Sequence, residues 1–170
     1  MNVYCDKMTK EITLSEAEVN AGLEWAKFVY DNLDKFRGFL DFGFKFLEKA
    51  RLISSHWDEA EMFSDFVRYS IASLIDVANN AGDDVRAAQI KKEDLKEPKR
   101  DNPWTEAQAL NEWRNFVKMN RKGFEDFKGF LRELSKQAKS IDEKYRVNLY
   151  SKFAKEMSNY AEIVEIQISL

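Results

Sequence analysis

Few side chains in this sequence belong to the types that carry out chemistry. It has one histidine, His56, and one cysteine, Cys5. A single histidine excludes ferritin-like di-iron sites and histidine-rich metal sites, because both need several histidines among their ligands. The sequence has no Gly-rich phosphate loop, no Gly-x-Ser-x-Gly and no Cys-x-x-Cys motif. The acidic residues lie on polar helix faces rather than in inward pairs. We therefore expect neither a metal site nor a cofactor.

Arg51 stands five residues before His56 and gives the spacing Arg-x4-His. This pair resembles the signature of HEPN-type ribonucleases, which are helical bundles of similar size that often dimerise. The resemblance implies metal-independent RNA cleavage, with His56 as acid or base and Arg51 stabilising the phosphate in the transition state. It covers two residues, and Leu52 follows the arginine where HEPN motifs commonly carry a polar residue.

The same two residues also fit a purely structural role. Arg51 suits the end of one helix, where its charge complements the helix dipole, and His56 suits an exposed position at the start of the next helix. We rank this interpretation first. The sequence thus predicts no catalytic residue, and Arg51 and His56 remain its only weak candidates.

The elements that must position any site are long helices that recur in two halves of the chain. The motif Glu-Trp-x-x-Phe-Val at 24–29 recurs at 112–117, and Phe-x-Gly-Phe-Leu at 36–40 recurs at 127–131. Apolar residues step by threes and fours through both halves, which is typical of one helix face. The pattern predicts an all-α four-helix bundle, built from two duplicated long helical hairpins with coiled-coil-like packing. Its two repeated tryptophans are expected in equivalent core layers.

The predicted domain organisation follows from the charge pattern and the turn signals. Residues 1–12 form an N-terminal arm, and residues 13–170 form a single helical-bundle domain. Within it, hairpin one spans 13–82 and hairpin two spans 103–170. Acidic and basic residues interleave between the hairpins, at 83–103, and predict a solvated connector with at most a short turn at 85–90.

In hairpin one, Thr13 and Glu16 predict a capping box at the start of a helix that runs to about Leu52. The second helix is predicted from Trp57 to Asn80, and a left-handed Gly82 follows it.

In hairpin two, Asn102 is the predicted cap of a third helix, and Pro103 is its first residue. Asn120 is the one polar member of that helix's core stripe. A capping box at Ser140 predicts the turn before the last helix, which then begins near Tyr145. Without that turn, one continuous helix would run to the C-terminus.

The two halves differ in aromatic content after their shared motif. Phe42, Phe44 and Phe46 align with polar residues of the second half, at 133, 135 and 137. At 100° per residue these rings fall on both flanks of the core stripe. They widen the apolar arc to roughly 200°, where a bundle helix needs ~100°. Either the connector or the N-terminal arm covers them, or they form an oligomer seam or a partner surface.

The sequence favours a non-enzymatic interaction or scaffold protein that self-associates or docks a protein partner. The predicted interface consists of aromatic residues: Phe42, Phe44, Phe46, Phe39, Trp57 and Trp104. A further alternative is an amphipathic coat on a lipid or granule surface, by analogy with phasin-like proteins. A net charge of −3 and a pI near 5.4 do not favour nucleic acid as a partner. The single cysteine, the polar N-terminus and the lack of a long apolar run predict a cytoplasmic protein without a transmembrane segment.

Overall fold

The computed structural model describes residues 13–53, 61–94 and 105–170 and places most of them in helices. Across these ranges the chain is 89% helical and has no strand, which confirms the predicted all-α fold. In chain order the helices are α1 (Glu16–Asp31), α2 (Leu33–Ile53), α3 (Glu61–Asn80), α4 (Asp84–Asp94), α5 (Glu106–Met119), α6 (Arg121–Tyr145) and α7 (Ser151–Ser169).

The first predicted helix is interrupted at Asn32, so the prediction of one helix to Leu52 is wrong. The Asn32 backbone lies outside the helical region, at φ −121° and ψ 20°. Its side-chain amide donates to the carbonyl oxygen of Phe28 at 2.7 Å. A short amide side chain that bonds the backbone in this way competes with the helical hydrogen bonds. A helix resumes at once, because the Phe36 N–H donates to the Asn32 carbonyl oxygen at 3.0 Å.

The same interruption occurs at Asn120, between α5 and α6. Here φ is −112° and ψ is 24°, and the side-chain amide donates to the Phe116 carbonyl oxygen at 2.8 Å. Asn120 is therefore not a polar residue within a continuous core stripe, as predicted, but the residue that separates two helices. Each asparagine stands at the same distance along the chain from a tryptophan, Trp25 or Trp113.

Capping boxes begin α1 and α5, but not at the predicted residues. The Ser15 hydroxyl accepts from the Glu18 N–H at 3.1 Å, and the Glu18 carboxylate accepts from the Ser15 N–H at 3.1 Å. The predicted cap, Thr13, lies two residues too early. Thr105 and the glutamine three residues later form the same box before α5. The predicted cap at 102–103 lies outside the described residues. In both boxes two otherwise unpaired amides are satisfied reciprocally.

The end of α3 is the predicted one. Gly82 has φ +70°, in the left-handed region that favours glycine. Its N–H donates to the Asn79 carbonyl oxygen at 3.1 Å, and the Asp83 N–H donates to the Ala78 carbonyl oxygen at 2.9 Å. These two bonds make a Schellman motif, which stops the helix and redirects the chain into α4.

The segment after Gly82 is not a solvated connector along its described part, contrary to the prediction. Residues 84–94 form α4, which packs chiefly against α3. Ala87 and Ile90, one turn apart on its inner face, are both buried. Two apolar residues at this spacing give a mainly polar helix one face that packs on its neighbours, while its polar side chains lie on the outer face.

A turn does separate α6 from α7, but it comes later than the predicted position at Ser140. The helix continues to Tyr145, and Arg146 adopts left-handed angles at φ 53° and ψ 47°. The buried carboxylate of Asp142 accepts three hydrogen bonds from residues 149–151, at 2.7 to 3.2 Å. Since the Asp142 carboxylate binds the turn that follows α6, no new helix begins at Ser140. Tyr145 therefore belongs to α6 rather than to the last helix.

The core contains both repeated tryptophans, as predicted. Trp113 is fully buried and Trp25 is 5% exposed. The Trp25 indole N–H donates to the Asn80 side-chain oxygen at 3.1 Å, and that of Trp113 donates to the Gln167 side-chain oxygen at 3.0 Å. Each indole is thus buried with its single donor satisfied, which buried tryptophans require.

Candidate functional site

Phe46, predicted at an interface, is a core residue of this chain. It has no solvent exposure, and its ring lies 5.5 Å from that of Phe66 on α3 and 5.7 Å from that of Phe124 on α6. The expectation that it lies outside the core is wrong because α2 contacts α3, α5 and α6. A helix with neighbours on several sides buries an arc wider than a single stripe.

Phe44 is half-buried and lies beside α4, which belongs to the segment predicted as the connector. The Arg86 guanidinium lies 5.5 Å from the centre of the Phe44 ring, in a cation–π contact. Arg86 also forms an ion pair with Asp41 of α2, and its Nε lies 3.8 Å from the Asp83 carboxylate. These contacts place Phe44 beside α4, where it lines a cavity of about 570 Å³ between α2 and α4.

Phe39 and Phe42 lie where α2 crosses α6. The Phe39 ring stacks on that of Phe127 with centres 4.0 Å apart and planes 5° apart. Phe42 meets Phe124 edge to face at 5.0 Å. Phe39 is 5% exposed and Phe42 is half-buried. Of the four predicted phenylalanines, these two line an open groove.

This groove, here called the α2/α6 groove, has a volume of about 550 Å³. Residues 35–42 supply one wall and residues 123–133 supply the other. Four phenylalanines from the two helices form its floor, and glycines and charged side chains complete its lining. Its lining includes Phe39, Phe42, Phe127, Phe130, Gly38 and Gly129. A volume of this size is within the ~300–1,000 Å³ of most ligand sites.

Two of the glycines in the groove leave open space that the fold does not use. A Cβ added at Gly38 or at Gly129 meets no atom of the described residues within 4 Å. Gly123, which also lines the groove, is different, because a Cβ there lies 2.5 Å from the Phe42 ring. Packing therefore requires glycine at 123 but not at 38 or 129. All three lie inside helices, where glycine costs about 1 kcal/mol relative to alanine.

The rim of the groove is predominantly acidic. Three carboxylates (Glu125, Asp126, Glu133) and one ammonium (Lys35) line it. Lys35 lies 3.5 Å from Glu133, and Lys128, which does not line the groove, lies 2.9 Å from Glu125. Asp126 is exposed and forms no ion pair with any other residue that the structure describes. The groove thus combines an aromatic floor with a negative rim.

Lys128 connects α6, which forms one wall of the groove, to α7. Its ammonium contacts Glu165 as well as Glu125. Hydrogen bonds to Glu165 and then to Glu125 raise the pKa of the Lys128 ammonium above its usual 10.5. The hydrogen bond from Lys128 lowers the pKa of the Glu165 carboxyl below its usual 4.5. Lys128 is therefore charged at neutral pH and links α6 to α7 through its ion pair with Glu165.

The remaining predicted site residues are not brought together within the described part of the chain. Arg51 lies in the last turn of α2 and lines a second cavity, of about 570 Å³, between α2 and α4. His56, Trp57 and Trp104 lie outside the described residues. The proposed Arg-x4-His pair therefore has a structural position for one member only.

Within the described ranges, no three His, Cys, Asp or Glu side chains converge on a point that could hold a metal ion. None of the helices in those ranges combines the length and the apolar content that crossing a bilayer requires. Comparison of the chain with protein-family models, with curated proteins and with solved structures gives no match.

Sequence reasoning missed the α6 wall of the groove. The predicted interface depends on residues that differ between the halves, whereas Phe127 and Phe130 belong to the motif that the halves share. Gly38 and Gly129 both stand in a Phe-x-Gly-Phe-Leu motif, but nothing in the sequence indicates that the two motifs pack together. Only the structure shows that the two copies lie against each other across an antiparallel helix pair.

Proposed function

We propose that this protein is a non-enzymatic interaction protein that docks a partner segment in the α2/α6 groove. Its architecture would be a four-helix bundle of two duplicated hairpins, in which α1 with α2 and α5 with α6 serve as equivalent long members. The groove would then lie where the two copies of the Phe-x-Gly-Phe-Leu motif face each other.

Matched ring contacts support the duplication. The sequence offset that carries Trp25 onto Trp113 also carries Asn32 onto Asn120 and Phe39 onto Phe127. Under this offset the Phe36–Phe130 pair, at 5.1 Å and 87°, exchanges with the Phe124–Phe42 pair, at 5.0 Å and 85°. The ring centres of Trp25 and Phe28 lie 5.5 Å apart, and those of the matching pair, Trp113 and Phe116, lie 5.6 Å apart. The stacked Phe39–Phe127 pair lies at the centre of this arrangement.

We infer this offset in place of the alignment on which the sequence prediction depends. It pairs Phe42 with Phe130 and Phe46 with Leu134, rather than with Glu133 and Gln137. The first half therefore does not carry extra apolar residues at 42 and 46. A docking role now rests on the open groove and not on a difference between the halves.

The observation that carries the proposal is the open space above Gly38 and Gly129. Alanine at either position would increase stability without a clash, because nothing in the described part of the chain lies within 4 Å of the added atom. Two helix-interior glycines that packing does not require, on opposite walls of one aromatic groove, indicate that side chains are excluded there to keep the groove open. Stability given up at one place in a fold commonly accompanies function.

The test is a selection of random 12-residue peptides, displayed on phage, against the full chain. A variant with Gly38→Leu and Gly129→Leu fills the groove and serves as the counter-target. Ala26→Leu is the matched control, because it places the same side chain on an exposed position of α1 that does not line the groove. We expect peptides that bind the wild type and the control but not the filled variant. Peptides that bind all three proteins equally would contradict a docking role for the groove.

A further inference from the structure

We infer that the segment docked in the α2/α6 groove is basic: large apolar side chains on the phenylalanine floor, flanked by lysine or arginine. This inference rests on the proposed docking function and adds the chemistry of the partner. It follows from the charges of the rim, the shape of the floor and the like charge that a second copy would bring.

Three carboxylates line the rim; two of them are paired with lysines, and Asp126 carries its uncompensated negative charge within the described part of the chain. Lys35 lies within 3.5 Å of Glu133, and Lys128 lies 2.9 Å from Glu125. Asp126 is exposed and has no charged partner among the described residues. A cationic group at the groove mouth therefore gains a carboxylate partner, whereas an anionic group meets repulsion.

The floor suits the apolar part of the same segment. The rings of Phe39, Phe42, Phe127 and Phe130 leave about 550 Å³ between the walls, with no side chain at Gly38 or Gly129. Lysine and arginine lay their methylene stems on apolar surface while the charged ends reach polar groups. A segment of mixed apolar and basic residues can therefore contact the floor and the rim at the same time.

Charge argues against a second copy of this chain in the groove. Groove-to-groove association would bring together two rims that each carry more carboxylates than ammonium groups. Like charges facing one another at an interface disfavour association. A partner of opposite charge satisfies the rim, and a second copy does not.

The peptides recovered by the groove-dependent selection test the inference directly. We expect them to carry net positive charge and to lose affinity roughly threefold to tenfold for Asp126→Lys, as reversal of one exposed charge implies. Glu162→Lys is the matched control: it changes the net charge equally on an exposed position of α7 away from the groove. It should leave the affinity unchanged.

The outcomes separate the partner class from the docking function. Groove-dependent peptides that are neutral or acidic, or that ignore Asp126→Lys, would overturn the basic partner and leave the docking function intact. The absence of any groove-dependent peptide would overturn both. Sedimentation of the wild type as a dimer that becomes monomeric in the Gly38→Leu, Gly129→Leu variant would identify a second copy as the occupant and overturn the inference.

Discussion

Substitution of the groove glycines by alanine should make this protein more stable. Gly38 and Gly129 both lie inside helices, and among residues 13–53, 61–94 and 105–170 no atom lies within 4 Å of an added Cβ at either position. Alanine therefore gains helix propensity and loses no packing. The expected gain in the free energy of unfolding is about 0.8–1.0 kcal/mol for each substitution.

The expected change in melting temperature follows from the size of the chain. For a domain of 150–250 residues, 1 kcal/mol shifts the midpoint by roughly 2–4 °C. Each single variant should therefore melt about 2–4 °C above the wild type, as followed by circular dichroism at 222 nm, a wavelength that reports helix content. Urea unfolding of the same variants gives the free energy independently.

Two other glycines provide controls: alanine is expected to raise stability at Gly22 and to lower it at Gly43. At Gly22 an added Cβ lies 3.9 Å from the Tyr150 hydroxyl, an ordinary contact, so Gly22→Ala should also stabilise. At Gly43 an added Cβ lies 2.5 Å from a methyl carbon of Leu74, which is fully buried. Overpacking of this kind costs about 1–3 kcal/mol, so Gly43→Ala should lower stability despite its better helix propensity.

Destabilisation by Gly38→Ala or Gly129→Ala would refute the reasoning. It would mean that some part of the chain already fills the space above these glycines, and the groove would not be open in the folded protein. A gain at Gly22 together with a loss at both groove positions would place that filling in the groove itself.

Three further predictions concern the core and its charges. Trp113→Ala should lower the free energy of unfolding, measured by urea titration, by about 3–5 kcal/mol, because it removes a fully buried indole and its hydrogen bond. A loss under ~1 kcal/mol would contradict the assignment of Trp113 to the core. Lys128→Met should destabilise most at neutral pH. Because folding raises the pKa of Lys128, the stability that its charge contributes is complete below pH 10.5 and is lost as the pH rises further. Because folding lowers the pKa of Glu165, the stability that its charge contributes is complete above pH 4.5 and is lost as the pH falls. The difference in the free energy of unfolding between Lys128→Met and the wild type should therefore narrow at about pH 3 and pH 11. Tyr160→Phe should cost about 0.5–1.5 kcal/mol, because the buried Tyr160 hydroxyl donates to Ser70 at 2.6 Å; an unchanged urea midpoint would show that the bond adds nothing.

The helical class and most of the core were predictable because both depend on local periodicity. Steps of three and four residues placed Trp25 and Trp113 in the core, and both are buried. Gly82 was predictable as a helix end, since the left-handed conformation strongly favours glycine. The breaks at Asn32 and Asn120 were not predicted, because an asparagine that bonds the backbone inside an apolar stripe has the same sequence pattern as a buried asparagine.

The groove was only half predictable, because it depends on which helices become neighbours. Phe39 and Phe42 were singled out from their position on α2, whereas Phe46, on the same helix, turns toward α3 and is buried. Periodicity gives the width of an apolar arc but not the number of helices that cover it. The α6 wall, with Gly129, follows only from the tertiary pairing of the two motifs.

The most direct test of the docking function is a map of amide chemical shifts as a selected peptide is titrated into isotope-labelled protein. We predict that the shifts concentrate at 35–42 and 123–133, the two walls of the α2/α6 groove, and that Gly129→Leu abolishes them. Shifts centred on another surface, or shifts of equal size in Gly129→Leu, would contradict the proposal that this groove is the binding site.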